Sequence, residues 1–93
     1  MSLDNDLEAI YLVHMNMTLA EQTAEEVRKA VALSGRTGQS ISDETGIPYS
    51  TWNRKVKGRT EFSLTELYLI AEALGVTPYE LIPSSFKLEQ AAS

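Results

Sequence analysis

Apolar residues recur at helical spacing along most of this chain, and the breaks between runs carry glycine, proline or a capping residue. Leu3, Leu7, Ile10, Tyr11 and His14 predict an amphipathic helix over residues 3–16, its face widened by Leu12, Val13, Met15 and Met17. A second face, Ala20, Ala24, Val27, Ala30 and Val31, predicts a helix over about 19–34 with Gly35 at its end. Two threonines could open it, since both Thr18 and Thr23 precede a glutamate by three residues, the spacing of a capping box. Arg28 and Lys29 follow the early glutamates in the order that suits the helix dipole and pairing one turn apart.

Beyond Gly35 the runs shorten. Thr37 caps a helix reaching Thr45, with Ile41 its main buried residue, Ser42 beside it, and Gly46 making the turn. Gly38 weakens that helix, since glycine has the lowest propensity after proline. Pro48 holds Ile47 extended and takes the first position of a helix running from about Pro48 to Lys57. Trp52 and Val56, four apart, then face inward, leaving Tyr49, Ser50, Asn53 and Arg54 outward, and Gly58 closes the helix. Ser63 and Glu66 form a further capping box ahead of the stripe Leu64, Leu67, Tyr68, Ala71 and Leu74, which ends at Gly75. Thr77 and Glu80 repeat the box around Pro78, and Leu81 with Ile82 buries a short last helix before Pro83. The tail from Ser84 is polar except for Phe86 and Leu88, an alternation that fits a brief strand or a frayed end. The expected class is all-α: a compact five-helix domain over 19–83, an additional N-terminal helical segment over 1–18 and a tail over 84–93.

Composition narrows the function. A chain of 93 residues is one small domain, near the lower limit for a self-sufficient core, so a second copy would add stability. No apolar run reaches the ~18 residues of a membrane span, and acidic Asp4, Asp6 and Glu8 stand where a secretory signal would be basic, so a cytoplasmic location is expected. There is no cysteine, and the single histidine, His14, has no ligand motif around it, so no metal or other cofactor is expected. No nucleophile–base spacing or phosphate-binding glycine loop marks an enzyme or a small-molecule site. The net charge of −5 is unevenly spread: −4 over residues 1–35, +3 over 36–60 and −4 over 61–93. Salt screens charge beyond ~8 Å, so the central basic stretch can neutralise phosphates while the acidic flanks face away.

Two short helices joined at Gly46-Ile47, the run Arg54-Lys55-Val56-Lys57-Gly58-Arg59, and Ser63-Leu64-Thr65-Glu66-Leu67 leading to Ala71-Glu72-Ala73-Leu74-Gly75-Val76 resemble the lambda-repressor-like helix-turn-helix family, the Cro and phage-repressor or XRE group. The match covers about Val27 to Ile82, and Thr77-Pro78-Tyr79-Glu80-Leu81 is similar to the family's usual ending. The resemblance implies that residues 37–45 rest across the DNA backbone while the helix 48–57 enters the major groove. It assigns Tyr49, Ser50, Asn53 and Arg54 to base edges, and Thr37, Gln39, Thr51, Lys55, Lys57 and Arg59 to phosphates. The chemistry fits: arginine donates two bonds to guanine, asparagine bridges adenine edges, a tyrosine ring touches a thymine methyl, and lysine supplies salt-dependent affinity. The chain departs from the family's pattern at four places. Gly38 replaces the usual glutamine, which follows one place later as Gln39; Arg36 and Thr45 stand where apolar residues are common; Pro48 replaces a serine or threonine cap.

Each functional assignment has a plainer counterpart. Trp52 could stack on a base, but its inward position and size favour the core. The basic run from Arg54 to Arg59 could merely complement a helix dipole; its turn-helix setting favours phosphate contact. The expectation is therefore a sequence-specific regulator of transcription, a repressor or Cro-like protein of phage, prophage or mobile-element type, binding a double-stranded operator as a homodimer. Leu7, Ile10 and Tyr11 are the preferred dimer surface, and Phe86 with Leu88 the other candidate. Two alternatives bring in a protein partner: an antitoxin that binds both a toxin and its own operator, and an adaptor or antirepressor that has lost DNA binding.

Overall fold

The computed structural model describes residues 17–83 and 85–86. Four α-helices follow one another, α1 Leu19–Ser34, α2 Gly38–Thr45, α3 Tyr49–Val56 and α4 Leu64–Leu74, and a 3-10 turn over Pro78–Leu81 closes the series. No strand occurs among the described residues, so the all-helical class holds for them. The predicted helix over 3–16 and Leu88 lie outside the described residues, while Ser85 and Phe86 are helical rather than extended.

The caps explain where the helices begin. Thr18 opens α1, its hydroxyl accepting from the Glu21 amide at 3.1 Å while the Glu21 carboxylate accepts from the Thr18 amide at 2.9 Å. Thr23 lies inside the helix. Ser63 and Glu66 form the same reciprocal pair at α4, at 3.0 and 2.8 Å. Each such cap satisfies amides that a helix start otherwise leaves without a partner. Thr77 makes no side-chain cap, and the segment after it stays a single 3-10 turn instead of the fifth α-helix expected. Pro48 is the N-cap of α3, at φ −55° and ψ 141°, rather than its first helical residue.

Packing gathers Val27 of α1, Ile41 of α2, Trp52 of α3, Leu67, Ile70 and Ala71 of α4, and Leu81 of the 3-10 turn into one core with Ile47 and Phe62. The rings of Trp52 and Phe62 meet edge to face with centroids 6.0 Å apart, a favourable aromatic geometry. On α4 the buried face is Leu67, Ile70 and Ala71, with Leu74 packed against it; Leu64 and Tyr68, expected in the stripe, are exposed. Both faces satisfy helical spacing, because all of LTELYLIAEAL except Thr65, Glu66 and Glu72 is apolar or aromatic. Neighbouring helices, not periodicity, decide which face is covered.

Candidate nucleic-acid interface

The unit formed by α2 and α3 is held by contacts that begin at the turn. Gly46 takes φ +82°, a left-handed conformation that glycine adopts without steric cost. The Ser42 hydroxyl donates to the Ile47 carbonyl, and Thr45 Oγ1 donates to the Ile41 carbonyl at 2.7 Å while accepting from the Ile47 amide at 3.3 Å. Thr45, polar where the family is often apolar, thus stitches the turn. Arg36 does the same for the outer end of α2. Its guanidinium donates to the Ala73 carbonyl at the end of α4 and to Glu44 Oε1, both at 2.7 Å, and to Ser40 Oγ at 3.3 Å.

Gly38 has a different role from the weakness expected of it. A Cβ built there would lie 2.5 Å from Trp52 Nε1. The absent side chain lets the backbone of α2 close onto the indole that anchors α3. Trp52 is only 3% exposed, so the plain reading of this residue as core holds.

The α3 helix is tied down mainly at its C-terminal end. The Gly58 amide donates to the Lys55 carbonyl and the Arg59 amide to the Arg54 carbonyl, both at 3.0 Å, which is the Schellman pattern. Gly58 sits at φ +81°, and a Cβ there would also meet Glu21 Cα at 3.0 Å, so this close approach to α1 requires glycine. Arg28 of α1 donates from Nη1 to the Val56 carbonyl at 2.6 Å. Lys55 Nζ reaches both carboxylate oxygens of Glu66, at 2.6 and 2.8 Å. Burial acts first to push the Glu66 carboxyl up, but the Lys55 hydrogen bond, the Ser63 amide and the ammonium charge together hold it below its ordinary value of 4.5. Glu66 therefore caps α4 and anchors α3 at once.

These ties sort the ten residues expected to contact DNA. Tyr49, Ser50 and Arg54 are exposed on α3 and Asn53 is half-buried beside them, so the outward face is as expected. Lys57 and Arg59 are exposed at the same end of the helix, and the Schellman turn brings the Arg59 backbone against Arg54. Thr37 and Gln39 are exposed at the start of α2 and Thr51 is half-buried in α3. The Thr37 hydroxyl accepts from the Ser40 amide at 3.1 Å and keeps its own hydrogen to donate; Gln39 spends one amide hydrogen on Asp43 at 3.1 Å and keeps the other. Lys55 differs from the rest. Its ammonium is turned to Glu66 with only 16% of the side chain exposed, so its charge is neutralised within the protein rather than presented to phosphates. Arg28 and Arg36 are the contributors not anticipated. Their partners lie 28 and 37 residues away, beyond any local spacing rule.

The arrangement can dock a short helix, polar on its exposed face and basic at its C-terminal end, against a surface of hydrogen-bonding edges and negative charge. Among the described residues no group of three or more histidine, cysteine or acidic side chains is placed to hold a metal ion. No described helix is long and apolar enough to cross a membrane. Curated proteins give no significant match. Among solved structures, one titled as a hypothetical transcription factor NHTF from Neisseria is similar, with a TM-score of 0.64 at 22% identity, over 78% of this chain and 85% of that one. At this identity the likeness concerns the fold. A family model for the Cro/C1-type HTH DNA-binding domain matches residues 12–84, which takes in α1 to α4 and the closing turn. The chain belongs to the Cro/C1-type helix-turn-helix DNA-binding family.

Proposed function

We propose that this protein is a sequence-specific transcriptional regulator, a repressor or Cro-like protein of phage, prophage or mobile-element type, acting in the cytoplasm. It reads the major groove with α3 and binds its operator as a dimer. The observation that carries this reading is the division of α3 into an anchored face, Trp52 and Val56, and an outward face holding Tyr49, Ser50, Asn53 and Arg54. Arg54 is the residue whose fork matches the two acceptors of guanine, and Asn53 matches adenine. Lys57 and Arg59 then contact phosphates beside the groove, and Thr37 with Gln39 contacts them from α2. The neighbouring structure's title as a transcription factor agrees with this role.

Binding to genomic DNA fragments across a salt series tests it. The wild type should bind with affinity that falls as salt rises, and Arg54→Ala should lose about 1–3 kcal/mol at one base position, with relaxed preference there. No binding to DNA at any salt concentration would point instead to an adaptor that keeps the fold without the DNA contact, and an unchanged preference in Arg54→Ala would contradict the assignment of that residue to a base edge.

A further inference from the structure

Lys55 and Glu66 join two helices whose backbones otherwise stand apart. The backbone of α3 lies close to α1 and α2 but hardly approaches α4. Between them Lys55 Nζ reaches Glu66 Oε1 at 2.6 Å and Oε2 at 2.8 Å, with 16% and 20% of the two side chains exposed. Stability gives little reason for a pair so sheltered, because desolvation offsets much of its attraction and apolar residues in such a place are often as stable. Its position has a consequence for DNA. Lys55 follows Arg54 by about 100° around α3, and Arg54, Lys57 and Arg59 are exposed at this end of the helix. A lysine left free there would be a fourth cation, able to swing its flexible stem to a nearby phosphate.

The same turn is held from a second side. Arg28 of α1 donates to the Val56 carbonyl at 2.6 Å, so neighbouring residues of α3 are tied to two different helices. The first turn contributes less, since Pro48 makes no side-chain cap. Ties at Lys55 and Val56 thus fix how α3 is rolled about its axis, and that roll aims Tyr49, Ser50, Asn53 and Arg54. We propose, on the reading of α3 as the major-groove helix, that Glu66 is a positioning residue for base recognition: through Lys55 it sets the roll of α3 and keeps that ammonium off the DNA backbone. Non-specific binding comes almost entirely from phosphate contacts, so a withheld charge lowers it, while a fixed roll serves the bases. Sequence preference gains from both effects, although Glu66 itself touches no DNA.

A salt series on the full chain tests this, with the duplex recovered by selection from a random library and a scrambled duplex of equal length. Glu66→Gln is the informative change, because glutamine can keep the capping box with Ser63 while the charge facing Lys55 is lost. It should steepen the scrambled-duplex slope from about −1.8 to about −2.7 per protomer and raise that affinity about five-fold at about 0.15 M salt. Preference for the selected duplex should fall. Lys55→Met, alone or added to Glu66→Gln, should also lose preference but hold the slope at about −1.8, since it cuts the tie without freeing a charge. A role confined to the cap or to stability would instead weaken binding to both duplexes together. That result overturns the proposal, as does a Glu66→Gln variant with unchanged slope and preference. So does a flatter slope in Lys55→Met, which would place Lys55 on a phosphate in the wild type. A wild type that prefers no sequence overturns the reading of α3 as well; a wild type with a preference that Glu66→Gln leaves intact overturns this inference alone.

Discussion

Gly38 sets two effects against each other. Replacing a helical glycine by alanine ordinarily stabilises by up to about 1 kcal/mol, because alanine has less backbone freedom to lose. Here the added methyl would stand 2.5 Å from Trp52 Nε1, and the indole is wedged against Phe62. Overpacking of this kind costs about 1–3 kcal/mol, so it outweighs the propensity gain. Gly38→Ala is expected to lower stability by about 1–2 kcal/mol in urea unfolding; a variant more stable than wild type would show that Trp52 yields freely. The same residue marks a limit of reading one position at a time. Propensity makes Gly38 a defect, and only the side chain 14 residues later, brought across by the turn at Gly46, makes it a requirement.

At the scale of the element, caps separate the firm helices from the weak one. Ser63 completes a reciprocal pair of bonds with Glu66, whereas Thr77, at the same offset from Glu80, makes none. Ser63→Ala should therefore cost about 1 kcal/mol of stability and Thr77→Ala only a few tenths, measured side by side in thermal unfolding. Equal losses would mean that the Thr77 box forms in solution. Helix bounds were legible because they depend on nearby residues: Thr18 and Ser63 at the starts, Gly35 and Gly75 at the ends, and Pro48 before α3. The inward pair Trp52 and Val56 and the outward set around Arg54 were legible for the same reason, since one helical turn relates them. Partners across the fold were not. Lys55 reads as a phosphate contact until Glu66, 11 residues on, takes its charge, and Arg28 reads as a surface base until it meets the Val56 carbonyl. Leu64 and Tyr68 were assigned to the wrong side of α4, where a mostly apolar helix leaves its buried face to be chosen by packing.

For the whole molecule, charge is divided between holding the fold and facing outward. Arg28, Arg36 and Lys55 each bind a carbonyl or carboxylate that fixes α2 or α3 to α1 or α4. Arg54, Lys57 and Arg59 remain exposed around the end of α3. At about 0.9 counterion released per phosphate contact, Lys57 and Arg59, the two charges assigned to phosphates, predict that the logarithm of affinity falls against the logarithm of salt with a slope of about −1.8 per protomer. A slope of about −4.5 would mean that the internal three also reach phosphates, and that the helices they tie rearrange on binding. The central claim, that α3 reads base sequence, is tested most directly by selecting and sequencing bound DNA from a random library at physiological salt of about 0.15 M. The expected result is an enriched motif, read as two half-sites about one helical turn apart for a dimer; a recovered pool with the same base composition at every position as the input library would contradict it.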